Sequence, residues 1–169
     1  MMLRFAACAL SAAMLAALWP AAAQDSHRHG MPHGAPAAQS AGAADTRQSI
    51  ALPAPMQEHM LANMRDHLTA VGEIVGALAD GRFDAAAKVS EQRLGMSSLS
   101  LHGAAHMAPH MPPPMQDIGT SMHRAASRLA ITIQDADVAR SPEAMAAVHR
   151  GLNDVLSACS SCHAAYRIR

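Results

Sequence analysis

The chain has 169 residues, and its 13 Lys and Arg side chains balance 13 Asp and Glu, a formal net charge of zero with histidines neutral. That balance gives no basic excess to hold nucleic acid or an anionic membrane surface. Aromatic residues make up only 2% of the chain, so any core must be built from Ala, Leu, Met, Ile and Val.

Residues 1–23 read as a secretory signal peptide. Arg4 supplies the positive start, Phe5 to Leu18 the apolar run, and Ala21-Ala22-Ala23 a small-residue cleavage site. The alternative is a membrane anchor, for which the run is short; after cleavage no anchor is expected. Cys8 lies inside the run, too early and in poor context for a lipoprotein cysteine. Cleavage would leave residues 24–169 as one domain, with 12 basic against 13 acidic side chains and a formal charge of −1. Two cysteines (Cys159, Cys162) and two aromatics (Phe83, Tyr166) would remain.

Residues 24–52 read as a flexible leader rich in Ala, Gly, Pro, Ser and His. His27, His29, Met31 and His33 fall within it, and imidazole and thioether both suit copper. The alternative is a linker whose histidines bind nothing.

From residue 53 to 169 the pattern is helical, and no alternating stretch signals a strand. Pro53 and Pro55 open a first helix, carried by Met56, Met60, Met64, His67, Val71, Ile74 and Leu78 at three- and four-residue steps and ended at Asp80-Gly81. Phe83 to about Ser98 gives a second helix, with Phe83, Ala87, Ser90 and Leu94 inward and Lys88, Glu91 and Arg93 in water. Leu99 to Pro114 is an interruption stiffened by Pro109, Pro112, Pro113 and Pro114. His102, His106, Met107, His110, Met111 and the adjoining Met115 form a second His/Met cluster there. It reads either as a copper site or as a loop packing its methionines on the end of a helical bundle.

A third helix runs from about Met115 to Ala136, with Met115, Ile118, Met122, Ala125, Leu129, Thr132 and Ala136 inward and His123 on a solvated flank. Ser141-Pro142-Glu143 starts a fourth: a serine cap, proline at the first position and an acid in the first turn. Met145, Val148, Leu152, Val155, Cys159 and Cys162 line its inner face. The fold class is all-α, an antiparallel four-helix bundle.

The fourth helix ends in Cys159-Ser160-Ser161-Cys162-His163. Cys-x-x-Cys-His is the attachment signature of one c-type haem. Helical spacings of three and four put both thiols and the imidazole on one face. Cys159 and Cys162 are therefore candidates for thioether links to haem, and His163 for the proximal iron ligand. A thioredoxin-like site needs a strand-turn-helix context, and a structural zinc site needs a second pair of ligands. A plain disulfide would leave the adjacent histidine without a role. A buried haem would also supply the flat apolar surface that two aromatics cannot.

With Tyr166 and Arg167 the motif extends to Cys-x-x-Cys-His-x-x-Tyr-Arg, which resembles the cytochrome c′ family, the class II c-type cytochromes. The resemblance implies a four-helix bundle, export to the bacterial periplasm, where c-type haem is attached, and Arg167 close to the proximal histidine. It also implies a homodimer formed through the first two helices. The chain departs from the family where an arginine commonly precedes the distal residue by one turn: Met60 stands there, and the nearest arginine is Arg65.

The family's distal residue falls midway along its first helix, which makes Met64 the candidate sixth ligand and Met60 the fallback. With a methionine sulfur on the iron the protein is a single-electron carrier serving a periplasmic redox protein. With an open distal face it is a five-coordinate binder of nitric oxide or carbon monoxide. A third reading is a copper-handling haem protein using the two His/Met clusters. No Ser-His-Asp set, phosphate loop or paired carboxylates are present, so an enzyme is not expected.

Overall fold

The computed structural model describes residues 44–169, so the signal-peptide expectation and the leader histidines lie outside the described residues. The described part is mostly helical. Its elements are a strand β1 (Gln48–Ile50), helices α1 (Ala54–Ala79), α2 (Phe83–Val89), α3 (Ala104–Met107), α4 (Pro113–Ala139) and α5 (Pro142–Ala165), and a strand β2 (Tyr166–Ile168). None of these helices is long and apolar enough to cross a membrane.

Local chemistry sets the helix ends. Pro53 and Pro55 sit at the start of α1, where a missing N–H costs nothing. At its end Gly81 takes φ +70, and the Arg82 and Gly81 amides donate to the Ala77 and Leu78 carbonyls at 2.8 and 3.1 Å. That pair of bonds is a Schellman cap, and the left-handed backbone it needs suits glycine. α5 opens on Ser141, whose Oγ accepts from the Ala144 amide at 3.1 Å, with Pro142 behind it. α4 begins at Pro113, two residues before the expected Met115, because Pro112 is extended and Pro113 and Pro114 fit a first turn.

The second helix is shorter than its periodicity predicts. α2 stops at Val89, a π-helical turn covers Ser90–Leu94, and Gly95 leaves the helix with extended ψ. A Cβ at Gly95 would lie 2.7 Å from the Glu91 carbonyl oxygen, closer than any side chain tolerates. Arg93, expected in water, is half-buried and pairs with Asp66 and Glu73 of α1. The interruption after it is partly ordered: α3 and a 3₁₀ turn (Ala108–His110) lie within it.

α4 is central. Met122, Ala125, Ala126, Leu129, Ala130, Ile133 and Ala136 are all buried, a wider face than the single stripe read from the sequence. They pack with Ala70, Ile74 and Ala77 of α1, with Phe83, Ala86 and Ala87 of α2, and with Val148 and Val155 of α5. His123, expected on a solvated flank, is 7% exposed, because neighbours on more than one side enclose this helix. A second apolar cluster joins Ile50, Leu52, Met107 and Met115, with Met56, Met60, Met111, Cys162, Tyr166 and Ile168 packed on it.

Two strands stand where none was expected. β1 and β2 pair in parallel, Gln48 with Tyr166 and Ile50 with Ile168. The leader as read ran to residue 52, yet Ile50 and Leu52 are buried. Three-residue strands are too short for alternation to show, and the partners lie at opposite ends of the described chain. Replacing Ser141 by Ala should destabilise the protein by about 1 kcal/mol through loss of the α5 cap, read as a lower denaturant midpoint at unchanged m-value.

Candidate functional site

A cavity of about 620 Å³ opens between the two apolar clusters. Its size falls within the roughly 300–1,000 Å³ usual for cofactor and ligand sites. α5 brings Cys159, Cys162 and His163 to its wall, one helical face as the spacing predicts. α1 brings Met60 and Met64 to the same cavity, together with Asn63, His67 and Val71. Both candidate distal residues and all three motif residues therefore share one space.

Each cysteine touches a different cluster: Cys159 packs on the main core and Cys162 on the methionine-rich one. Both are free thiols, half-buried. Burial pushes both upward in pKa, and the neighbouring Cys159 adds to the effect on Cys162. Redox-active Cys-x-x-Cys pairs depend on the opposite shift, toward thiolate. His163, in the last turn of α5, is exposed.

Arg167 is not on the cavity wall. It stands opposite Ser49 in the parallel pair, and its Nε lies 3.4 Å from the Asp45 carboxylate. The charges are within ion-pair range, yet this buried nitrogen has no hydrogen bond, so the contact is electrostatic without good donor geometry. Arg65 is exposed. Of the second His/Met cluster, His102, Met107, Met111 and Met115 line the cavity, while His106 and His110 are exposed.

The structure also gathers a group that the sequence did not single out. His67 of α1, His102 of the connection after α2 and His123 of α4 meet on the cavity wall. Ring centroids are 4.6 Å apart for His67 and His102, 5.4 Å for His102 and His123, and 5.7 Å for His67 and His123. The His123 Nδ1 lies 2.7 Å from the Leu94 carbonyl, and a carbonyl only accepts, so this nitrogen carries the hydrogen. Leu94 ends the π turn, and its carbonyl would otherwise be an orphan of the helix terminus. The His102 carbonyl accepts from His59 Nε2 and Asn63 Nδ2, both at 3.0 Å, which pins the connection to α1. No sequence signal links positions 67, 102 and 123, since each lies on a different element.

Desolvation is the first cause that lowers all three imidazoles in pKa. His67 is pushed down to about 4, with His102 and His123 adding to the shift and Asp66 opposing it. His102 is lowered by burial and by His123, and His123 by burial against the hydrogen bonds to Leu94 and Gly95. Arg93 sits beyond Asp66 and lowers His67 slightly more.

The chain matches no protein-family model, no curated protein and no solved structure.

The depressed imidazoles predict a pH dependence. The unfolded chain takes up protons from about pH 6.5 downward, whereas folded His67 resists until about 4. Stability contributed by its neutral form is complete above the unfolded value and is lost as pH falls through that window, by roughly 2–3 kcal/mol. Urea midpoints measured between pH 7 and pH 4 should fall. The His67→Phe variant should show a shallower slope between pH 6.5 and 4, the remainder belonging to His102, His123 and the lowered carboxylates.

Proposed function

We propose that this chain is a class II c-type cytochrome, a cytochrome c′-like antiparallel four-helix bundle built from α1, the α2 segment, α4 and α5, with one covalently attached haem. The observation that supports this most is the meeting of Cys159, Cys162 and His163 with Met60 and Met64 around one apolar-walled cavity of about 620 Å³. The donor set fits the group. Two free thiols three residues apart suit thioether links to vinyl groups, an adjacent imidazole suits iron, and no disulfide consumes the sulfurs.

A haem so held would supply a one-electron Fe(III)/Fe(II) couple. The chain's own part is to hold and orient. α5 fixes Cys159, Cys162 and His163 on one face. Val155, Met107 and Met115 give the cavity wall buried apolar surface. Met64, with Met60 as fallback, would offer a thioether from α1 as a second iron ligand beside His163, and two ligands held by the protein would favour electron transfer with little rearrangement. Export to the periplasm and a redox protein partner belong to this reading.

Haem attachment is tested on denaturing gels stained for haem peroxidase activity. The exported wild-type protein should stain, and a Cys159→Ala, Cys162→Ala double variant should not. Staining that survives in the double variant refutes covalent attachment through these residues.

The distal ligand is tested by absorption spectroscopy. Oxidised wild-type protein should be low-spin with a far-red sulfur-to-iron band and should resist carbon monoxide. Met64→Ala should abolish the band and open the iron to gas. Wild-type protein that is already high-spin and takes up carbon monoxide readily is instead the five-coordinate gas binder. A band that survives in Met64→Ala moves the ligand to Met60.

A further inference from the structure

His67, His102 and His123 have no part in the haem-attachment motif, and neither candidate distal methionine is among them. One ring nitrogen from each lies within 4.8 Å of the other two. His67 and His123 are buried and His102 is half-buried. The three come from three separate elements, so only the tertiary fold brings them together.

Their protonation favours a cation. With the hydrogen of His123 on Nδ1 toward Leu94, its Nε2 carries a lone pair. Ser98 donates its own hydrogen to the Gly95 carbonyl at 2.7 Å, so it has none to place on the lone pair of His102 Nδ1 at 3.4 Å, and its oxygen can accept from the His123 Nδ1–H at 3.5 Å. His67 Nε2 and His102 Nδ1 face each other at 3.4 Å. That is longer than the usual 2.7–3.2 Å of a good N–H donor bond, and one hydrogen cannot satisfy three rings. Buried polar nitrogens need partners.

The spacing suits a tetrahedral ion. Zinc–nitrogen bonds of about 2.0–2.1 Å place ligands roughly 3.3–3.4 Å apart around a tetrahedron. The His67–His102 separation is already there, and the ligand atoms of the whole trio lie within 4.8 Å of one another. The Leu94 carbonyl acts on His123 as an outer hydrogen-bond partner that fixes the ring and tautomer of a ligating histidine. No carboxylate or thiolate belongs to the trio, which disfavours magnesium and calcium and selects an ion that prefers imidazole.

We propose that His67, His102 and His123 form a tri-histidine site for a divalent transition ion of the zinc and copper(II) class, with its fourth position open to the cavity. The site stands independently of the haem reading, since none of its ligands comes from α5. It also differs from the two His/Met clusters of the sequence, of which it takes only His102.

The experiment uses the full exported protein with whatever haem it carries, stripped with a chelator. Zinc and copper(II) are then titrated separately by equilibrium dialysis with elemental analysis. One zinc per chain should bind tightly, with X-ray absorption reporting about three imidazole nitrogens at about 2.0 Å, and copper(II) should bind more tightly still at the same site. His102→Ala should weaken zinc at least 100-fold, as should His123→Gln if the first variant folds poorly by circular dichroism. The exposed His149→Ala should bind as wild type.

Zinc binding that survives both substitutions overturns the site. So does binding that disappears when His27, His29 and His33 of the leader are replaced while the trio is intact. If zinc does not bind and His67→Ala or His102→Ala shifts the haem spectrum, the imidazole serves iron and the proposal fails. Haem content, assayed on every variant, reports separately on the haem reading: a chain without haem that still binds one zinc leaves this site standing.

Discussion

Close packing is the constraint from which the architecture follows. Protein interiors reach crystal-like density, and the described residues must do so with Phe83 as the one aromatic side chain in the main core. Alanine fills much of the rest: Ala70, Ala77, Ala86, Ala87, Ala125, Ala126, Ala130 and Ala136 are all buried there. Small side chains let helices approach closely and make α4 nearly enclosed. They cannot also fill the gap between the main core and the methionine-rich cluster, where the cavity of about 620 Å³ lies. Apolar wall left to water forgoes about 25 cal/mol per Å² of burial. On the haem reading, the cofactor completes the core and joins its two halves, since Cys159 packs on one cluster and Cys162 on the other.

The polar contacts around the π turn depend on the same geometry. Ser90 donates to the Ala126 carbonyl at 2.8 Å and the Met96 amide to Ser127 Oγ at 2.9 Å, which fastens this segment to α4. Arg93 fastens it to α1 through Asp66 and Glu73. The segment is thus held from both sides, and the carbonyl of Leu94 emerges where His123 can donate to it. Without the extra residue of the π turn and the tight exit at Gly95, that carbonyl would point elsewhere.

Local signals were legible in the sequence and non-local ones were not. Gly81 and Ser141-Pro142 mark helix ends through bonds to residues within one turn, and both stand as read. The face shared by Cys159, Cys162 and His163 follows from helical spacing alone, and the Met60 and Met64 stripe does too. The pairing of Gln48–Ile50 with Tyr166–Ile168 spans nearly the whole described chain, so neither segment carries a turn signal for it. His123 was misplaced because a stripe argument assumes one buried face, and α4 has neighbours on several. Arg93 looks like a solvated charge until α1 supplies two carboxylates. The histidine trio required three elements to be positioned before it existed.

The cavity wall carries two donor chemistries. The sulfurs of the haem reading come from Cys159 and Cys162 on α5 and from Met60 and Met64 on α1, while Met107, Met111, Met115 and Met122 also reach the wall; apart from His163, imidazole nitrogen gathers where α1, α4 and the connection meet. Soft sulfur suits haem thioethers and a redox iron, while neutral imidazole suits a borderline divalent ion. α1 serves both sets from one face, Met64 standing one helical turn before His67. Any rotation or shift of α1 therefore moves the thioether and the imidazole together. The Arg93 pairs and the Asn63 bond to the His102 carbonyl hold that helix in register. On the two proposals taken together, the ion at the trio and the iron would share a helix and a cavity, so filling one site would restrain the geometry of the other.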